Sequence, residues 1–254
     1  MKYVIKKISL SFVLAVMFIS LDFVIFKYLQ TYNYLSDVGG VGSFVSVFGT
    51  LFGILLTLVL VEVWSQFNVT SGLVEKEAIG LEKIFVLSLN FNDEVFSNKL
   101  KKVISEYLTL VIDDNFRHVA SGQRNKEAGK KFREIAKIIK VVNVDDKRDS
   151  IVYDHILEKF NEVFETRALR INMSLTRLPK VLKIFLNIAL AFMISIFLFM
   201  PFANVLYDML VIGFLTFITT MAMQIINDLD NPFMGNWVIT PEAFKRTLEH
   251  LSDE

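Results

Sequence analysis

Residues 41–66 read VGSFVSVFGTLFGILLTLVLVEVWSQ, and no stretch says more about the fold. From Ser43 to Val61 it carries no charge. At ~1.5 Å per residue, an uncharged helix of that length crosses the ~30 Å core of a bilayer. One side of it holds Gly42, Ser46, Gly49, Thr50, Gly53 and Thr57, most of them three or four positions apart. Small residues let a second backbone come close, and hydroxyls tolerate water. The stretch therefore reads as a membrane helix that faces its own copies around a pathway, not as a plain lipid anchor.

Composition points the same way. The chain has 254 residues, 53% of them hydrophobic, with 24 Phe. Ordinary soluble domains hold about 45–50% apolar residues even with Gly counted. The 27 basic and 27 acidic residues cancel, so charge gives no reason to expect a nucleic-acid partner. With no Cys, disulfides, thiol nucleophiles and thiolate metal sites are excluded.

Upstream, Lys2, Lys6 and Lys7 precede an apolar run, Ile8 to Phe26, broken only by Ser residues and Asp22. The run is long for a signal peptide and lacks a small-x-small cleavage site, so it reads as a first membrane helix. Asp22, near its outer end, reads as reaching the interface. Residues 28–42 hold three Tyr and no basic residue, which suits the membrane–water boundary, with Gly39-Gly40 as a turn. Glu62 and Trp64 close the organising helix at the other interface.

Residues 67–179 are polar and hold most of the basic residues. Lys2, Lys6, Lys7, Lys245 and Arg246 fall on the same side of four spans, while the loops 28–42 and 201–206 have no Lys or Arg. Positive charge gathers on the cytoplasmic side, so both termini and the central region of this multi-pass chain are expected in the cytoplasm.

Periodicity predicts helices over 70–89, 94–116, 124–141 and 150–178. Leu73, Ala78, Leu81, Ile84, Phe85 and Leu89 form the inward face of the first. Ile156, Leu157, Phe160, Val163, Phe164 and Leu169 belong to that of the last. Asp93 reads as a helix cap, Ser121-Gly122 as a break, and Asn143–Asp149 as a loop. Glu75, Glu77 and Glu82 read as a solvated face, as do Lys99–Lys102 and Lys130–Arg133.

Pro179 opens a second membrane pair, Val181–Met200 and Val205–Ile226. Lys183 is expected to snorkel to the cytoplasmic face, Asp208 lies near the outer end, and Thr216, Thr219 and Thr220 are expected to bond a neighbouring helix. In the tail, Asn231-Pro232 and Gly235 mark turns, and Thr240-Pro241-Glu242 starts a closing helix to Leu251. The fold class is all-α membrane protein with four transmembrane helices. Residues 1–66 form the first pair, 67–179 the cytoplasmic region, 180–226 the second pair and 227–254 the tail, together one domain.

No catalytic constellation appears. His118, His155 and His250 are scattered, and there is no phosphate-binding loop or nucleophile elbow. An enzyme is not expected.

The segment Gly53 to Phe67 resembles the second membrane helix of bestrophins: a Gly, Thr-Leu-Val, then Trp64, a polar residue, Gln66 and an aromatic. Asn231-Pro232-Phe233 followed by Gly235 is similar to the Asn-Pro-Phe-Gly stretch after the last bestrophin span. The order of these motifs, with Arg177-Leu178-Pro179 before the second pair, resembles uncharacterised bacterial bestrophin-like proteins over nearly the whole chain. The resemblance implies a pentamer of four-span subunits around an axial pore lined by the second helix. Alignment on Trp64 puts the neck-lining sites at Ser46, Thr50 and Ile54, beside Gly53 and Thr57 of the polar stripe. Bestrophins carry bulky apolar residues there; two of these three are hydroxyl residues here. The family's acidic calcium clasp is replaced by Asn236-Trp237-Val238-Ile239, and Asp228 and Asp230 alone fall short of the six to eight oxygens calcium takes. No metal or cofactor is expected.

The expected function is thus an oligomeric ion channel whose partners are the lipid bilayer, further copies of the chain and permeant inorganic ions. The alternative is a membrane-anchored helical scaffold or signalling protein without conductance.

Overall fold

The computed structural model of the chain describes residues 2–32, 38–91, 93–144, 147–200 and 204–253, with side chains at 2–7, 26–32 and 38 left out. Of the expected exterior loops, 33–37 and 201–203 lie outside these residues, while 28–32, 38–42 and 205–206 are helical rather than loop. Among the described residues every regular element is a helix. They are α1 (Lys2–Tyr32), α2 (Val38–Ser88), α3 (Glu94–Asp114), α4 (Arg117–Ala120), α5 (Lys126–Val141), α6 (Lys147–Leu175), α7 (Lys180–Phe199), α8 (Val205–Leu229) and α9 (Glu242–Asp253). Four of them, α1, α2, α7 and α8, are long and apolar enough to cross a membrane. The chain is an all-α membrane protein.

It divides into two compact units. Unit 1 is Met1–Ser65 with Leu178–Asp230, and unit 2 is Gln66–Arg177 with Asn231–Glu254. α2 supplies residues to both.

The sequence predicts two helices in 41–89, but α2 is one helix of 51 residues. Nothing between Gln66 and Gly72 can stop it. There is no Pro, a lone Gly is tolerated, and Thr70 Oγ1 donates back to the Gln66 carbonyl at 2.7 Å. Gly39 and Gly40 likewise lie inside the first turns of α2, not in a turn before it.

In unit 1, α1 runs along α8, and α7 packs on both. Gln224 Nε2 donates to Ser11 Oγ at 2.6 Å, and a Cβ on Gly213 would come within 2.6 Å of Ile19 Cδ1. The threonines of α8 do not bridge helices as expected. Thr219 and Thr220 donate to Leu215 and Thr216 carbonyls of their own helix, both at 2.6 Å, and the buried Thr216 hydroxyl has no hydrogen-bond partner. In a helix interior the i−4 carbonyl is the nearest acceptor, so it wins. Asp22 and Asp208 do not reach outward either: they are 1% and 3% exposed.

Unit 2 has one apolar core. Val74, Ala78, Leu81, Ile84 and Phe85 of α2 meet Leu100, Ile104, Tyr107 and Leu108 of α3, Phe132, Ile135 and Ile139 of α5, and Phe244 and Leu251 of α9. The inward face of α2 thus includes Val74, while Leu89 is exposed. Asp93 caps α3 as expected, its Oδ1 accepting from Phe96 N at 2.9 Å. Asn125 caps α5 in the same way, accepting from Ala128 N at 3.0 Å. α6 departs from its expected face. Its buried positions are Asp149, Ile156, Val163, Arg170 and Ser174, a seam that mostly repeats every seven residues. Phe164 and Leu169 sit one place outside that seam and are exposed, and Asp149 lies in the first helical turn, not in a loop. α6 approaches α2 closely at Gly80, where a Cβ would meet Val163 Cγ2 at 2.3 Å.

Candidate functional site

The candidate site is the first half of α2, described within unit 1. An α-helix turns about 100° per residue, so its faces can be read off the numbering. Phe48, Phe52, Val59 and Val63 fall on one side. Phe52, Val59 and Val63 are buried, and Phe48 meets Phe192 of α7 edge-on at 5.3 Å. Ser46, Thr50, Gly53 and Thr57 lie within an arc of about 60° on the opposite side, with Ile54 about 40° beyond Thr50. All five are exposed in the single subunit. A third face carries Phe44, Val47, Leu51 and Leu58, all bulky and exposed.

The three hydroxyls of the stripe are held by their own helix. Ser46 Oγ donates to the Gly42 carbonyl at 3.0 Å, Thr50 Oγ1 to Ser46 at 2.8 Å and Thr57 Oγ1 to Gly53 at 2.8 Å. Each hydroxyl hydrogen is therefore turned back along the backbone, and only oxygen lone pairs face outward. Five turns below Ser46, exposed Trp64 falls on the same line. Gln66 follows it, half-buried, as the first residue of unit 2.

The second group of sequence-selected residues holds the junctions. In unit 1, Asp230 Oδ1 accepts from the backbone N–H of Leu178 at 2.6 Å, and its Oδ2 pairs with Lys183 Nζ. Lys183 is thus engaged at the helix end, not simply extended into water. In unit 2, Asn231 Nδ2 donates to the Ala120 carbonyl at 3.2 Å, and Asn231 Oδ1 accepts from Phe233 N at 3.3 Å. Ile239 N donates to the Pro232 carbonyl at 2.8 Å, which folds the tail back past Gly235, whose φ is +124°. The Phe233 ring packs on Phe116 with centroids 4.7 Å apart.

Sequence reasoning missed the polar centre behind that ring. Glu77, expected on a solvated face, is fully buried. Arg170 donates to it twice, Nε to Oε2 at 2.6 Å and Nη2 to Oε1 at 3.2 Å. The Tyr107 hydroxyl also donates to Glu77, and Arg167 Nε donates to the Tyr107 oxygen at 3.1 Å. The Arg170 guanidinium lies 5.3 Å from the Phe116 ring centre and 5.8 Å from that of Phe244. Burial pushes the Tyr107 phenol well above its ordinary range, and the Glu77 charge adds to that. Burial works against the Arg170 charge, but Glu77 and Tyr107 outweigh it and hold the guanidinium protonated more firmly than usual. The available signal was Glu77's position one residue before Ala78, on the inward side of α2. Of its expected companions, Glu75 is exposed and lies 3.7 Å from Arg246, and Glu82 receives Thr247 at 3.3 Å. The three His stay apart, near Asp114, Glu158 and Glu82 respectively.

A family model described as the bestrophin-like domain matches residues 11–244. Among solved structures, a variant of a bacterial bestrophin homologue from Klebsiella pneumoniae superposes with a TM-score of 0.76 at 13% identity, covering 98% of each chain. Another structure of that homologue gives 0.74 at 12% identity, covering 99% of each chain. No curated protein matches. With the family pattern running through all four apolar helices and into the closing one, the chain belongs to the bestrophin-like family.

Proposed function

We propose that the chain is the subunit of a pentameric ion channel, with Ser46, Thr50, Gly53, Ile54 and Thr57 of five α2 copies lining an axial pore. One observation carries this reading. The small and hydroxyl stripe lies opposite the face by which α2 packs on its own subunit, and it is exposed there. Exposed Ser and Thr oxygens on a membrane helix are poor partners for acyl chains and good ones for water. Family membership supports the same function. In this reading both termini lie in the cytoplasm, the membrane is a bacterial inner membrane, and the segments 1–66, 67–179, 180–226 and 227–254 serve as one functional domain.

The test is ion flux through purified protein in liposomes, with the detergent-solubilised mass measured alongside. The expected mass is five times 29.2 kDa. Ser46→Trp and Thr50→Trp should lower flux at least tenfold, while Leu51→Trp, on the third face, leaves it unchanged. The opposite pattern would put the wrong face on the pore. An intact oligomer without flux would end the channel reading.

A further inference from the structure

A small cavity in unit 2, about 20 Å³, has no role in the reading above. It lies where the end of α3, α4, the start of α5 and α6 come together. Asp114, Arg124, Asn125, Arg167 and Arg170 are among the side chains that line it. Three arginines and one acid thus share a space that takes one water-sized occupant.

The charges there do not cancel. Arg170, with its side chain 4% exposed, is matched by Glu77, which accepts from its Nε and Nη2. Asp114 Oδ1 is paired with His118 Nδ1. Arg167 is half-buried and has no carboxylate partner among the described residues. Its Nε is spent on the Tyr107 oxygen at 3.1 Å, and its guanidinium lies over Phe132, 4.9 Å from the ring centre. Its Nη2 would sit 3.7 Å from a Cβ on Gly129, so the outer end of the fork reaches the first turn of α5. Arg124 is exposed and makes no hydrogen bond or ion pair among the described residues. Nearby acids are engaged elsewhere: Glu127 pairs with Lys130, and Glu106 and Glu134 both pair with Lys131. Asp113 is exposed and does not line the cavity. With Arg170 and Glu77 cancelling, and His counted as neutral, Arg124 and Arg167 against Asp114 leave one net positive charge.

The hydrogen-bonding groups are unbalanced in the same sense. Asn125 Oδ1 is committed to Ala128 N, and the Tyr107 hydroxyl donates to Glu77. The lining side chains therefore offer N–H groups to an occupant and, Asp114 apart, no uncommitted oxygen. A guanidinium drawn out of water without an acceptor is costly, and an anion that accepts its N–H groups removes that cost. A water would fill the space but leave the charge standing.

We propose that Arg124 and Arg167, with Arg170 completing the lining, bind one monatomic anion of the halide class, which ties the start of α5 to α6. Phosphate and sulfate are too large for a cavity that holds about one water. The site lies wholly within unit 2, so it stands or falls apart from the pore reading.

The experiment uses the full chain in detergent at pH 7, with sodium fixed and gluconate replaced stepwise by chloride or bromide. Gluconate is too large to enter. The thermal midpoint should rise along a saturable curve, by about 4 °C at the plateau, and sulfate at equal ionic strength should not reproduce it. Arg124→Gln should raise the half-saturating halide concentration by about tenfold or more, because it removes a charge-assisted hydrogen bond. Its midpoint in gluconate should match wild type, since Arg124 has no partner to lose. Asp114→Asn removes the competing negative charge and should lower the half-saturating concentration by about tenfold, a gain that a purely structural role would not produce. No halide response, a response shared by sulfate, or a curve that Arg124→Gln leaves in place would overturn the site. So would an Asp114→Asn protein that needs as much halide as wild type, or more.

Discussion

Arg170 holds Glu77 through two hydrogen bonds, 2.6 and 3.2 Å long, across 93 positions of sequence. Both side chains are out of water, so each needs the other. A buried pair adds little net stability over a well-packed apolar substitute, but breaking one side leaves a stranded charge.

Arg170→Leu should therefore destabilise unit 2 by about 3–5 kcal/mol, as for other broken buried pairs. Adding Glu77→Leu should recover much of that loss. Thermal midpoints of the single and double variants check this. A double variant worse than either single one would contradict it.

Tyr107 gives a pH dependence. Its folded-state pKa is raised from the ordinary 10.0, first by burial and then by Glu77. The unfolded phenol thus ionises before the folded one does. The stabilisation is complete below pH 10 and is lost as pH rises above it. The thermal midpoint of wild type should fall more steeply above pH 10 than that of Tyr107→Phe. Equal slopes would show that the phenol is solvated.

Gly80 is a contact point, not a hinge. A Cβ there would overlap Val163 at 2.3 Å. Gly80→Ala gains about 1 kcal/mol of helix propensity but forces α2 and α6 apart, at a typical overpacking cost of 1–3 kcal/mol. The variant should be less stable than wild type, and Val163→Ala should rescue it. Paired unfolding measurements decide.

Thr50 separates structure from permeation. Its hydroxyl is tied to Ser46 within one helix at 2.8 Å, so nothing outside depends on it in the subunit. Thr50→Val should leave the unfolding free energy within about 0.5 kcal/mol of wild type, as a surface change does. Flux in liposomes should fall if water touches that oxygen. Unchanged flux would place Thr50 away from the pathway.

Much of the fold was legible because membrane spans announce themselves by length and missing charge. The four apolar runs became α1, α2, α7 and α8, and Asp93 capped α3 because its side chain precedes a helical run by the right interval. What stayed hidden was mostly polar burial. Glu77 and Asp22 look like surface acids in a string of letters, since nothing in their neighbours names Arg170 or Asp208, 93 and 186 positions away. Phe164 and Leu169 failed for the reverse reason. A helical apolar pattern wider than its seam leaves its flanks exposed in one subunit, and the sequence does not say which flank. The stripe on α2 was readable as a stripe; its distance from the packed face was not, because that depends on where α7 docks.

Asp230 has a consequence beyond its own contacts. By gripping Leu178 N and Lys183 together, it cinches the open end of the α7–α8 hairpin, opposite the connection near Pro201. A hairpin fastened at its mouth does not rely on its tip to keep the two legs aligned. Foreign sequence, such as an epitope tag or a labelling peptide, could be spliced into that tip while the register of the pair survives.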